Sequence, residues 1–224
     1  MRHIGLSVLL CLVLSACAHG EILSLWNFND AVSGTSGGIK EFLVDRGSGI
    51  MTSDFNASNV GNTAGTSLNS QGDDPAGRSL VLSGSANNER NLTWMVNTEG
   101  FDSIAVSFAG QRTSTGFNNN EFLYSVDSGI SWTGFGYFTP GTAFGLQSFD
   151  LSGIIGLNNN PNAGFRIVFA GASGSAGNNK LDNLLVSGLP FVPPDTSPVP
   201  EPSTIGLTVS GILLCFLFGF RRRI

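Results

Sequence analysis

Between residues 21 and 190 the chain has no cysteine and no histidine: its three cysteines are Cys11, Cys17 and Cys215, and its two histidines are His3 and His19. That stretch therefore has no disulfides, no zinc site of the usual kind, no Ser-His-Asp triad and no Cys-His pair. Its stability has to come from a packed core alone. Charge is scarce too. Only 12% of the residues are charged, and residues 21–190 carry fourteen acidic against seven basic side chains, the basic ones scattered singly from Lys40 to Lys180. A net-negative surface without a basic stripe repels phosphate backbones, which excludes nucleic acid as a partner.

Helical periodicity is the third thing missing. In its place stand short β-prone runs separated by clusters of Gly, Asn and Ser, such as Asn118-Asn119-Asn120 and Asn158-Asn159-Asn160. Strands are predicted near residues 22–28, 79–82, 92–96, 104–108, 122–126, 131–138, 147–151, 165–170 and 181–187. In residues 29–75 the best strand candidate is Phe42-Leu43-Val44. Ile104, Val106 and Phe108 alternate with Ala105 and Ser107, the pattern of a sheet with one buried face. About nine strands without intervening helices predict one all-β domain over residues 21–190, an antiparallel β-sandwich.

The two ends read differently. Residues 1–20 have a basic start, an apolar run from Ile4 to Leu14 and then small residues, the layout of a secretory signal peptide. Cleavage by signal peptidase places the mature start at His19 or Glu21. Leu14-Ser15-Ala16-Cys17 also has the form of a lipobox, which would put a lipid on Cys17; soluble cleavage is preferred because a second anchor stands at the other end. Residues 191–202 form a Pro-rich linker. From Ser203 to Phe220 no residue is charged, and eighteen residues make roughly 27 Å of helix, enough to cross a hydrocarbon core. Arg221, Arg222 and Arg223 follow as a stop-transfer cluster that keeps the C-terminus cytoplasmic and residues 21–200 outside.

Val199-Pro200-Glu201-Pro202-Ser203-Thr204, with the apolar span and the arginines behind it, resembles the PEP-CTERM sorting signal over residues 199–224. The resemblance implies that an exosortase recognises Pro200, Glu201 and Pro202 and removes the tail, so that the protein passes from the inner membrane to the cell surface or medium. It also implies an association with exopolysaccharide and biofilm material. The segments Leu25-Trp26-Asn27-Phe28-Asn29, Phe149-Asp150-Leu151-Ser152, Phe165 to Phe169 and Leu181 to Val186 look like bacterial extracellular jelly-roll modules. That likeness implies a jelly-roll sandwich and a structural calcium ion near the joined terminal strands, with Asp30 and Asp182 as its ligands.

The clearest local motif is Ser125-Val126-Asp127-Ser128-Gly129-Ile130-Ser131-Trp132, similar to the Asp-box hairpin of sialidase-type propellers. It occurs once, so it predicts a tight turn and no propeller: Asp127 caps backbone N–H groups and Gly129 takes a positive φ. Trp26, Trp94 and Trp132 are assigned to the core, and Arg112 and Arg166 to structural roles. No acid sits in a catalytic motif. The expected function is a non-enzymatic surface protein binding exopolysaccharide through loops at one end of the sandwich; the alternative is a secreted polysaccharide hydrolase using paired carboxylates.

Overall fold

The computed structural model describes residues 20–30, 35–36 and 39–193. The signal peptide, Cys17, the Pro200-Glu201-Pro202 motif, the apolar span and Arg221, Arg222 and Arg223 lie outside the described residues. Among the described residues no helix is long and apolar enough to cross a membrane.

Fourteen strands follow one another: β1 Glu21–Trp26, β2 Thr35–Ser36, β3 Ile39–Phe42, β4 Arg46–Gly47, β5 Ile50–Ser53, β6 Val60–Ala64, β7 Arg78–Ser83, β8 Arg90–Val96, β9 Phe101–Arg112, β10 Asn120–Ser125, β11 Thr133–Phe138, β12 Gly145–Asp150, β13 Ala163–Phe169 and β14 Asn178–Pro190. They make two seven-stranded sheets, and every pairing is antiparallel. One runs β12-β9-β14-β1-β4, with β7 also on β14 and β6 on β7. The other runs β11-β10-β13-β8-β5-β3-β2. The architecture is thus an all-β antiparallel sandwich of two sheets.

The sheets face each other across an aromatic core. Phe122 of β10 stacks on Phe149 of β12 with ring centroids 4.0 Å apart and planes 10° off parallel, which ties one sheet to the other. Phe55, Phe117 and Phe169 form a second, edge-to-face group at 5.5 to 5.7 Å. The predicted alternation holds in β9, where Ile104, Val106 and Phe108 are buried and Ala105 and Ser107 only partly so.

β14 is the hub of its sheet. One edge pairs with β9; the other is shared, with Asn178 to Leu181 on β7 and Leu184 to Gly188 on β1. Asp182 and Asn183 fall in the seam between them, where Asn183 has φ +50° and the β9 pairing is bulged. A loop fills the seam. Thr66 donates its N–H to Asp182 Oδ2 at 2.6 Å, Asn183 Nδ2 donates to the carbonyls of Thr66 and Leu68, and Asn69 Nδ2 donates to Asn183 O. Gly65 allows the close approach: a Cβ there would collide with Asp182 Oδ2 and Ala76 O.

The segment from 29 to 75 departs from expectation. It holds β2 to β6, and β3 stops at Phe42, so Leu43 is 76% exposed instead of continuing a strand through Val44. The chain leaves one sheet there to form β4 in the other.

Candidate functional site

The turn between β10 and β11 is built from its own side chains. Ser125 Oγ donates to Asp127 Oδ1 at 2.7 Å and accepts the N–H of Gly129 at 2.9 Å. Ser131 donates its N–H to Asp127 Oδ1 at 2.9 Å and its hydroxyl to Oδ2 at 2.6 Å. These bonds stabilise the ionised carboxylate and hold the Asp127 pKa down at about 2, with the Ser131 hydroxyl the largest cause. Ser128 and Gly129 take the positive φ values, +61° and +80°, that the turn requires. Ser128 ties the turn to the neighbouring loop through the backbone oxygen and side chain of Asn162, both at 2.9 Å. The predicted Asp127 cap and Gly129 turn are therefore both present.

The hairpin delivers Trp132 to the outer face of the β10-β13-β8 sheet. In β13 the buried side chains Phe165, Ile167 and Phe169 point to the core, so Arg166 stands on the opposite face. Its neighbours in register there are Leu123 on β10 and Thr93 on β8, and beyond them Gly134 on β11 and Thr52 on β5. The Arg166 guanidinium carbon lies 4.0 Å from the Trp132 ring centroid, a cation–π contact. Arg166 Nε donates to Thr93 Oγ1 at 2.9 Å. Small residues clear the space: a Cβ at Gly164 would meet Met95 Sδ at 2.8 Å and Trp132 Cη2 at 3.3 Å. Tyr137, opposite Glu121 on the β11 edge, is 69% exposed. The result is a partly exposed strand surface carrying an indole, a phenol, the Arg166 guanidinium, the Glu121 carboxylate and several hydroxyl and amide groups.

Burial lowers the pKa of Arg166, partly offset by the charge of Asp54. Asp54 is itself occupied, with Asn91 N–H on Oδ1 at 2.6 Å and Asn91 Nδ2 on Oδ2 at 2.8 Å.

No family model matches this chain, and no curated protein matches it. The solved structures it resembles include carbohydrate-binding modules and the enzymatically active domain of a bacteriophage tailspike protein. A xylan-binding domain from Paenibacillus barcinonensis matches 79% of this chain over 100% of its own length, with 13% identity and a TM-score of 0.46. A family 29 carbohydrate-binding module from Piromyces equi matches 77% of this chain and 93% of its own, with 9% identity and a TM-score of 0.40. A related family 29 module, solved with mannohexaose, matches 75% and 92% with 10% identity and a TM-score of 0.41.

Of the residues singled out in the sequence, Asp182 is fully buried in the β14 seam, both oxygens accepting backbone N–H groups, Thr66 on Oδ2 and Asn183 on Oδ1. Burial pushes its pKa up to about 7 despite those bonds. Asp30 is exposed, in a bend after β1. Among the described residues no three His, Cys, Asp or Glu side chains gather where they could hold a metal ion. Trp26 and Trp94 are core residues, as expected, but Trp132 is not. Arg112 is structural: it donates to the carbonyls of Pro140, Thr113 and Ser114. Arg166 shares neither its partners nor its environment. Sequence reasoning missed the Trp132–Arg166 pair because the two are 34 positions apart; the Asp-box spacing that ends on Trp132 was the available signal.

Proposed function

We propose that residues 21–190 form an exported, non-catalytic module that binds polysaccharide on the outer face of the β10-β13-β8 sheet. The observation that carries this reading is Trp132, held by the Asp127 hairpin over Arg166, with the exposed Tyr137 on the same face in the row of Glu121 and Val168. A pyranose ring has an apolar C–H face and a rim of hydroxyls. An indole supplies the matching apolar surface, and Arg166, Thr93, Asn91 and Glu121 supply hydrogen-bonding groups around it. The open strand surface suits an extended polymer better than a small enclosed molecule.

Affinity electrophoresis of the full-length protein through gels containing soluble polysaccharides, in a sugar-free detergent, tests this. Retardation by at least one glycan is expected, and Trp132→Ala should abolish it without changing the melting temperature. Mobility unaffected by every glycan, or retardation unchanged in Trp132→Ala, would defeat the reading. Release of new reducing ends from the bound polymer would make the module a hydrolase instead.

Delivery belongs to the same proposal. Signal peptidase removes residues 1–20, the span at 203–220 holds the chain in the inner membrane, and an exosortase reads Pro200-Glu201-Pro202 and releases the protein to the surface. Intact mass and membrane fractionation in the native host, with and without the exosortase, checks this; an unchanged C-terminus would leave a plain anchor.

A further inference from the structure

Arg166 is a half-buried cation that makes no ion pair among the described residues. The two ion pairs among the described residues are Arg46–Asp74 at 2.6 Å and Arg90–Asp54 at 4.0 Å; Arg166 belongs to neither. Among the described residues, the one hydrogen-bond partner of its five N–H donors is Thr93 Oγ1, on Nε. Trp132 covers one side of the guanidinium; of the side chains in line with it, Thr52, Thr93, Leu123 and Gly134 are uncharged, and the row reaches a carboxylate, Glu41, three strands away on β3. Glu121 stands on the same face, one row away and outside ion-pair reach. Arg112 offers the contrast, since three backbone carbonyls occupy its Nε and Nη1. A guanidinium bound through Nε, with an aromatic ring over its face, keeps the two Nη groups for a planar anion; that fork matches a carboxylate bidentately.

We propose that the ligand of this face is a carboxylate-bearing glycan, a uronate polymer, whose carboxylate seats on the Nη groups of Arg166 while its sugar ring packs on Trp132. This rests on the polysaccharide reading above and narrows it. Two carboxylates act against an anionic ligand here, Glu121 on the same face and Asp54, which keeps its charge while accepting from Asn91 and lying 4.0 Å from Arg90; the Arg166 fork has to outweigh them.

The test compares one backbone with and without its charge. Full-length protein in sugar-free detergent is titrated with oligogalacturonate and with the same oligomer after carboxyl reduction to the neutral sugar. The acidic form should bind at least about tenfold more tightly, about 1.4 kcal/mol, and free acetate at matched concentration should not compete. Arg166→Met should erase the difference, and Arg166→Lys, which keeps the charge without the fork, should recover part of it. Equal affinity of wild-type protein for the two oligomers overturns the uronate proposal while leaving the platform intact, and that comparison needs no variant. Binding to neither oligomer, with retention by another neutral glycan that Trp132→Ala loses, also overturns it. No binding to any glycan removes both readings together.

Discussion

Ser131 donates to both carboxylate oxygens of Asp127, with its backbone N–H to one and its hydroxyl to the other. The residue after Ser131 is Trp132, so the geometry that satisfies the carboxylate also aims the indole at Arg166. Asp127→Ala removes the acceptor for Ser125 Oγ and for both Ser131 donors at once. Glycan retention should fall strongly and the tryptophan emission should shift to the red as Trp132 loosens. A carbon-detected NMR titration should place the Asp127 pKa near 2, against about 3.9 in an unfolded chain. Its folded pKa is depressed, so its contribution to stability is present above about pH 4 and lost as the pH falls through about 2. A titration midpoint near 3.9 would show that the hairpin network does not form.

Asp182 works in the opposite sense. Its pKa is raised to about 7 by burial, so the folded state holds a proton that the unfolded chain gives up near pH 4. The stability this contributes is complete below about pH 4 and is lost as the pH rises through about 7. Asp182→Asn cannot titrate. The melting temperature of wild type relative to Asp182→Asn should therefore decline from pH 4 to pH 7 and then level off. The variant should lose about 1–3 kcal/mol at low pH, because an amide offers one acceptor oxygen to two N–H donors. A difference that does not vary with pH would show that Asp182 titrates normally.

Each Asp182 oxygen already accepts one N–H, from Thr66 and from Asn183, and among the described residues no three His, Cys, Asp or Glu side chains gather where they could hold a metal ion, so a calcium ion there would have to draw on carbonyl and amide oxygens. Adding millimolar calcium or a chelator should leave the melting temperature within about 1 °C of its starting value. A rise of several degrees with calcium, lost in Asp182→Asn, would establish a metal site at the seam.

Phe122→Ala should be the most damaging single truncation in the core. It deletes the ring that stacks on Phe149 across the sandwich and touches Trp94, Phe135 and Phe165 within its own sheet. A loss of about 3–5 kcal/mol in chemical unfolding is expected. A loss under about 1 kcal/mol would mean that the two sheets are held together elsewhere.

What the sequence disclosed were features whose cause is local. The Ser125–Ser131 turn closes within seven residues, so its spacing predicts its hydrogen bonds, and the alternation of Ile104, Val106 and Phe108 predicts the buried face of β9. The short strands β2 to β6 gave little pattern because two to five residues owe their conformation to the strand beside them. Contacts between distant segments were illegible for the same reason. Thr66 and Asp182 meet across 116 positions, and Trp132 finds Arg166 only after β10, β11 and β13 have assembled. Trp132, in an apolar alternation with Ile130, therefore read as core, when it was the register of three strands that put it outside.

The position of β14 has a kinetic consequence. The last strand of the domain lies in the middle of its sheet, joined to β9, β1 and β7, and Leu25 pairs with Leu185. A chain emerging N-terminus first can form hairpins such as β10–β11 early, but that sheet has no centre until residue 190 is out. Closing such long loops makes folding slow, on the order of milliseconds to seconds. Until then β1, β7 and β9 expose edges that belong against β14. The β11-to-β2 sheet needs nothing beyond residue 169, whereas its partner sheet is completed by the strand made last.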